Sequence, residues 1–173
     1  MSLTFTAGRA ADVFPLDLAT SVVQALRTAF PTFPDDVDEL YRSETIEAVG
    51  FPALQQRATE LLGKNAAPQL TRGDAYQSVY LPSAENVITS VVVPRLADPL
   101  FVGSLDALLP ELVAFASAAS LPKDELALMH LAATYLEDDD KYDQDLDVQT
   151  FVQMLLTARQ AKANGTALWV VAG

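Results

Sequence analysis

The chain contains an unbroken apolar run, Ala-Leu-Trp-Val-Val at residues 167–171, and this run constrains the fold more than any other feature. The pair Asn164-Gly165 before it is suited to the left-handed conformation that closes helices, so a helix is predicted to end there. A strand that is apolar on both faces has to be covered on both faces. Exposed Trp169 beside unpaired backbone would invite aggregation. Residues 167–171 are therefore predicted to form a strand, paired inside the domain or across a dimer.

Apolar residues recur at helical spacing in six other segments. The helix from Leu16 is predicted to end at Pro31, and Gly63 is predicted to end the third helix. The segment after Pro122 is apolar nearly all round, which is typical of a central helix. The six predicted helices begin near residues 16, 34, 52, 105, 122 and 148.

Strand signals are shorter and lie between the helices. Residues 76–81 alternate, and residues 87–93 are rich in β-branched side chains. The four residues Ser83-Ala84-Glu85-Asn86 between them are short enough for a hairpin. The prediction is an α+β fold that is predominantly helical, with five or six helices. Its sheet is predicted to be small and mostly antiparallel, made of the central hairpin plus the C-terminal strand. A length of 173 residues predicts a single globular domain over residues 1–173.

Composition excludes several classes of function. The chain has no cysteine, so disulfides and thiolate chemistry are excluded, and its single histidine excludes sites that need two imidazoles. A net charge of −12 disfavours nucleic acid as a partner, because phosphates would repel it. No secretory signal and no membrane span is recognisable, and we expect a cytoplasmic protein.

The negative charge is concentrated in two segments. Residues 35–47 carry six acids against Arg42, and residues 137–147 carry seven acids against Lys141. These segments account for eleven of the twelve net negative charges. The predicted partner-binding residues are Glu137, Asp138, Asp139, Asp140, Asp143, Asp145 and Asp147 in the second segment, and Asp35, Asp36, Asp38 and Glu39 in the first.

Residues 137–147 admit three interpretations. The segment is a solvated loop kept soluble by its charge, or a docking surface for a basic partner, or a loop that binds a divalent metal. An EF-hand loop starting at Asp138 fails at its fifth, sixth and twelfth positions, which hold Tyr142, Asp143 and Gln149. No metal site is therefore assigned.

Recognisable catalytic motifs are missing from the sequence. The seven glycines are too scattered for a phosphate-binding loop, and no nucleophile elbow is present. Ser104 is interpreted as a helix N-cap, and His130 as a surface or boundary histidine. No catalytic residue and no cofactor is predicted.

In size, charge and order of parts the chain resembles small bacterial immunity proteins that neutralise toxins. The resemblance implies a basic, nuclease-type toxin as the partner. The function predicted is a non-catalytic acidic module that docks a basic protein through one or both acidic segments. The alternatives are a small carboxylate-dependent or metal-dependent enzyme, and an oligomeric scaffold joined by its terminal strand. The sequence leaves the oligomeric state open.

Overall fold

A computed structural model of the chain describes residues 1–82 and 85–173. Within these residues the chain forms six α-helices, seven strands and a short 3-10 helix at Ala10–Asp12. The helices are α1 (Leu16–Ala29), α2 (Gly50–Leu62), α3 (Pro68–Arg72), α4 (Leu105–Ala118), α5 (Glu125–Leu136) and α6 (Leu146–Asn164). The strands are β1 (Ser2–Gly8), β2 (Tyr41–Arg42), β3 (Ile46–Glu47), β4 (Gln77–Leu81), β5 (Ile88–Val91), β6 (Leu100–Ser104) and β7 (Ala167–Ala172).

All seven strands belong to one mixed sheet. Its order is β2-β1-β7-β4-β6-β5, and β3 also pairs with β1. The β4–β6 pair is parallel and the other pairs are antiparallel. The C-terminal strand β7 lies between β1 and β4, so the prediction of a terminal strand paired inside the domain is confirmed.

The predicted sheet architecture is wrong, although the fold is α+β. The sheet has seven strands and mixed pairing, where a small hairpin plus one strand was expected. Strands β4 and β5 do not pair, because β6 lies between them. Four of the five β4 residues are buried, which requires a covered central position, whereas Thr89 and Ser90 of β5 are exposed at an edge. The predicted turn includes Ser83 and Ala84, which lie outside the described residues.

The sheet separates two hydrophobic cores. On one face, Leu168 and Val170 of β7 pack in the larger core with side chains of α2, α4 and α6. On the other face, Trp169 packs in the smaller core with side chains of α1. The Trp169 ring meets Phe14 and Phe33 edge-on, at centroid distances of 5.7 and 6.2 Å, and its Nε1 donates to the Gly8 carbonyl at 3.0 Å. The two-sided apolar pattern of residues 167–171 therefore reflects burial between two layers.

Two of the predicted helices differ from the structure. No helix begins at Pro34, because the segment is held by contacts with other parts of the chain. Asp35 Oδ1 accepts from the Ala10 amide at 2.9 Å, and Phe33 packs on Trp169. Short Asp side chains that bond elsewhere compete with helix formation, and Tyr41 then pairs with β1.

The helix expected to be central, α5, lies on the outside. Only Leu128 and Tyr135 of α5 are buried, whereas α6 has twelve buried residues and is the central helix. Because apolar residues occur on all sides of α5, the sequence does not indicate which face of the helix meets the core. None of the described helices has the length and apolar content needed to cross a bilayer.

Candidate functional site

One face of α5 leaves large apolar side chains exposed to solvent. Leu126, Met129 and Leu136 are 65%, 52% and 47% exposed, and Ala133 lies between them on the same face. The spacing of three, four and three residues places them in one line along the helix. We call Leu126, Met129, Ala133 and Leu136 the α5 stripe. His130 is exposed beside it, as the surface interpretation expected.

The α5 stripe leads directly into the second acidic segment. Glu137 is the C-cap of α5 and is exposed. Thr134 and residues 137–141 line an open depression of about 630 Å³ at this point. The end of the apolar line is therefore bordered by carboxylates.

Side-chain contacts fasten the C-terminal end of the acidic segment to helices. The Tyr135 hydroxyl donates to Asp145 Oδ2 at 3.0 Å, and Asp147 Oδ2 accepts from Arg57 at 2.7 Å. The Gln149 amide, which is buried, donates to the carbonyls of Tyr142 and Gln144 at 2.8 and 2.7 Å. Asp145 has a left-handed φ of 50°, which turns the chain into α6. The segment is therefore a closed loop with its C-terminal end fixed.

The hydrogen bond that closes this loop affects the pKa of Tyr135. Burial, the hydrogen bond to Asp145 and the charges of Asp145 and Asp147 raise the pKa of Tyr135 to about 12. The neutral hydroxyl is thus the form that the folded protein favours, and it stays a donor to the Asp145 carboxylate over the physiological range.

The acids of the second segment divide into two groups. Asp145 and Asp147 make the structural contacts described above, and Asp138 accepts from the Asp140 amide and forms an ion pair with Lys141. Asp145 is exposed but accepts from Tyr135, and the other acids that are exposed and free of ion pairs with the described residues are Glu137, Asp139, Asp140 and Asp143.

The four partner-binding residues predicted in the first acidic segment lie elsewhere. Asp35 accepts from Ala10, just beyond the C-terminal end of β1, and Asp38 forms an exposed ion pair with Arg9 at 3.3 Å. Asp36 and Glu39 are exposed. The second segment joins α6 beside Gly50, near Ala48, whose amide donates to the Met1 carbonyl at the opposite end of β1. The length of β1 separates these four acids from the second segment by roughly 20 Å, so they do not join its surface. Glu44 of the first segment, in contrast, lies against α5 beside Tyr135 and Leu136.

The acidic residues do not form a metal-binding group in the described part of the chain. Among residues 1–82 and 85–173, no group of three or more His, Asp or Glu side chains is arranged to hold a metal ion. Ser104 is buried and caps α4 by accepting from the Ala107 amide at 3.2 Å, as predicted. No observation favours the enzyme alternative.

Sequence reasoning missed a buried polar cluster around Gln69, which is fully buried on α3. Its side-chain oxygen accepts from the Ser104 amide at 2.9 Å, and its backbone carbonyl accepts from the Tyr80 hydroxyl at 2.8 Å. The Glu111 carboxylate of α4 accepts from the backbone amides of Gln69 and Leu70, at 3.1 and 2.9 Å. Gly103 is required here, because a Cβ at this position would collide with Gln69 and with the Tyr80 ring. The cluster joins α3, α4, β4 and β6 and has a structural role.

Sequence reasoning also missed the exposure of the α5 stripe. The signal was present, since Leu126, Met129, Ala133 and Leu136 follow helical spacing. The apolar residues on the opposite side of α5 concealed it.

The chain was compared with models of protein families, with curated proteins and with solved structures, and none of them matches it. The chemistry of the α5 stripe and of the acids beside it is therefore the basis for a functional conclusion.

Proposed function

We propose that this protein is a non-catalytic binding module that docks a basic protein partner. The docking surface consists of the α5 stripe and the exposed acids Glu137, Asp139, Asp140 and Asp143. The observation that carries the proposal is that the large apolar side chains of α5 are exposed in one line that ends at carboxylates.

The α5 stripe supplies the apolar part of the surface. Contiguous apolar side chains with a polar rim are typical of sites where proteins associate. A helix that presents residues at spacings of three and four fits an apolar groove or a second amphipathic helix. Leu126 and Met129 are the residues expected to enter such a groove, because they are the most exposed members of the stripe.

The acidic segment determines the sign of the charge expected on the partner's surface. Seven acids against one lysine in residues 137–147 produce a local negative potential, which raises the encounter rate with positively charged proteins. The partner is therefore a protein with an apolar patch bordered by Lys and Arg. A nuclease-type toxin meets this description, because enzymes that bind nucleic acid carry basic surfaces. The proposal places this encounter in the cytoplasm.

The test is recovery of partners from the native host, with variants that separate the two parts of the surface. The apolar variant combines Leu126→Ser and Met129→Ser. The acidic variant combines Asp139→Asn and Asp140→Asn. The matched control combines Asp36→Asn and Glu39→Gln, which removes two exposed charges at the other end of the molecule.

We expect one basic protein to be recovered at low salt by the unmodified chain and by the control. The apolar variant should lose it at every salt concentration. The acidic variant should bind it more slowly, with a weaker dependence of the association rate on salt. A partner retained equally by all three variants, or a partner with no excess of Lys and Arg, would contradict the proposal.

A further inference from the structure

The strand β5 is a short edge of the sheet that carries no charged side chain. It pairs with β6 on one side and has no other described strand beside it. Backbone amides and carbonyls alternate in direction along an antiparallel strand, so half of those in Ile88–Val91 point away from the sheet. Natural edges are commonly blunted by charged side chains. Residues 87–93 read Val-Ile-Thr-Ser-Val-Val-Val and contain no charge.

A groove runs between this edge and α1. It has a volume of about 510 Å³ and is open to solvent. On the α1 side it is lined by residues such as Ser21, Ala25 and Thr28, whose small side chains leave room beside the edge. On the strand side it is lined by Ser90 and by Val92, which is 78% exposed. An added strand would place its α1-facing side chains in this space.

The charges around the groove specify its occupant. None of the residues lining it is ionisable, although the chain carries a net charge of −12. The nearby Arg95 and Asp17 neutralise each other in an ion pair of 2.7 Å, which also links the turn after β5 to α1. The occupant is therefore an uncharged strand rich in β-branched side chains. The segment 87–93 of a second copy has this composition.

The placement of the acids permits two copies to meet here. Strand β1 and β5 are four strand positions apart, roughly 19 Å. The helix α5 lies against Ile46 of β3, at the opposite edge of the sheet. Two chains that approach through β5 keep their acidic segments far apart, so their like charges oppose association only weakly.

We infer that two copies of this chain pair through β5 in antiparallel orientation, forming a dimer with one continuous sheet. A two-fold axis makes the same edge serve both subunits. Each partner strand occupies the groove beside α1 of the other subunit. The dimer leaves both α5 stripes exposed at its far ends.

The experiment is measurement of molar mass by light scattering between about 5 and 200 µM, combined with hydrogen exchange. The first variant is Ser90→Lys, which places two ammonium groups near the two-fold axis. The matched control is Gln56→Lys, which adds the same charge at an exposed position of α2. A third variant, Met129→Ser, tests the α5 stripe as the contact.

We expect the unmodified chain, Gln56→Lys and Met129→Ser to reach twice the monomer mass at high concentration. Ser90→Lys should stay monomeric with an unchanged circular dichroism spectrum. Amides of residues 88–92 should exchange more slowly at high concentration in the three proteins that dimerise, and not in Ser90→Lys. A monomer at 200 µM would overturn the inference, and so would a dimer that survives Ser90→Lys or is lost in Met129→Ser.

Discussion

The Tyr135 hydroxyl donates a hydrogen bond to Oδ2 of Asp145 at 3.0 Å, and this bond closes the acidic segment onto the helix that precedes it. Tyr135 is 8% exposed, and its ring belongs to the larger core. The bond therefore connects the core to the start of α6, where Asp145 holds a left-handed conformation. It keeps the exposed acids next to the α5 stripe.

Replacement of Tyr135 by Phe is expected to loosen this closure while the ring stays packed. The loss of a hydrogen bond to a charged acceptor should lower the free energy of unfolding by about 1.5–3 kcal/mol. A protease that cleaves after acidic residues should cut residues 137–147 faster. Chemical denaturation and timed proteolysis measure the two effects.

The matched control for this variant is Tyr76→Phe, since Tyr76 is 56% exposed and belongs to neither hydrophobic core. It should leave both measurements unchanged. Equal stability and equal cleavage of Tyr135→Phe and the control would mean that the bond does not close the segment.

Titration of Tyr135 is expected to weaken the fold in alkaline solution. The raised pKa, about 12 in the folded protein against an ordinary value of 10, means that the unfolded chain releases this proton first. The stability that Tyr135 contributes is complete below pH 10 and is lost as pH rises towards 12. The difference in unfolding free energy between the unmodified chain and Tyr135→Phe should shrink over this window. A difference in unfolding free energy that stays constant from pH 9 to 12 would contradict the raised pKa of Tyr135.

Glu111 is expected to make the free energy of unfolding depend on pH in acidic solution. Burial raises the pKa of Glu111 above 4.5, and its bonds from the Leu70 and Gln69 amides oppose this only in part. The folded state therefore holds the proton to higher pH than the unfolded chain. The stability contributed by Glu111 is complete below pH 4.5 and is lost as pH rises through the folded-state pKa.

The variant Glu111→Gln isolates this dependence, because its side chain does not titrate. The unfolding free energy of the unmodified chain minus that of Glu111→Gln should fall as pH rises from 4 to 7. A matched exposed variant, Glu60→Gln on α2, controls for the loss of one carboxylate. A difference for Glu111→Gln that rises with pH would show that the two amide bonds dominate over burial.

The elements of this fold are more visible in the sequence than their arrangement. The alternation in residues 77–81 and the two-sided apolar character of residues 167–171 both predict strands. The pairing of β4 with β6 and β7 depends on chain segments far away, and no local pattern encodes it. The contacts of Gln69 with Tyr80 and Ser104 likewise join residues 11 and 35 positions apart.

The candidate site shows the same division. The concentration of acids in residues 137–147 is plain in the sequence. The structural roles of Asp145 and Asp147 are not, because their partners Tyr135 and Arg57 lie 10 and 90 positions away. Sequence reasoning therefore assigned these two acids to partner binding together with Glu137, Asp139, Asp140 and Asp143.

Removal of β7 is expected to abolish the fold. Deletion of Leu168–Gly173 would leave β1 and β4 without the strand between them and would open both cores. Since a domain of this size is stable by only about 5–15 kcal/mol, the shortened chain should be unfolded or insoluble. A truncated chain that is soluble and melts at the original temperature would contradict this.

A milder change at Trp169 measures how firmly β7 is held to β1 and α1 in a protein that still folds. Trp169→Phe removes the Nε1 donor of the Gly8 carbonyl and part of the edge-on contact with Phe14 and Phe33. Leaving a buried carbonyl unpaired costs about 1–3 kcal/mol, and the unfilled volume adds to this loss. Thermal unfolding should therefore show a clear decrease in melting temperature for Trp169→Phe. The exposed variant Tyr76→Phe serves as control and should melt at the same temperature as the unmodified chain. If Trp169→Phe also melts at that temperature, then the indole does not hold β7 to β1 and α1 as described.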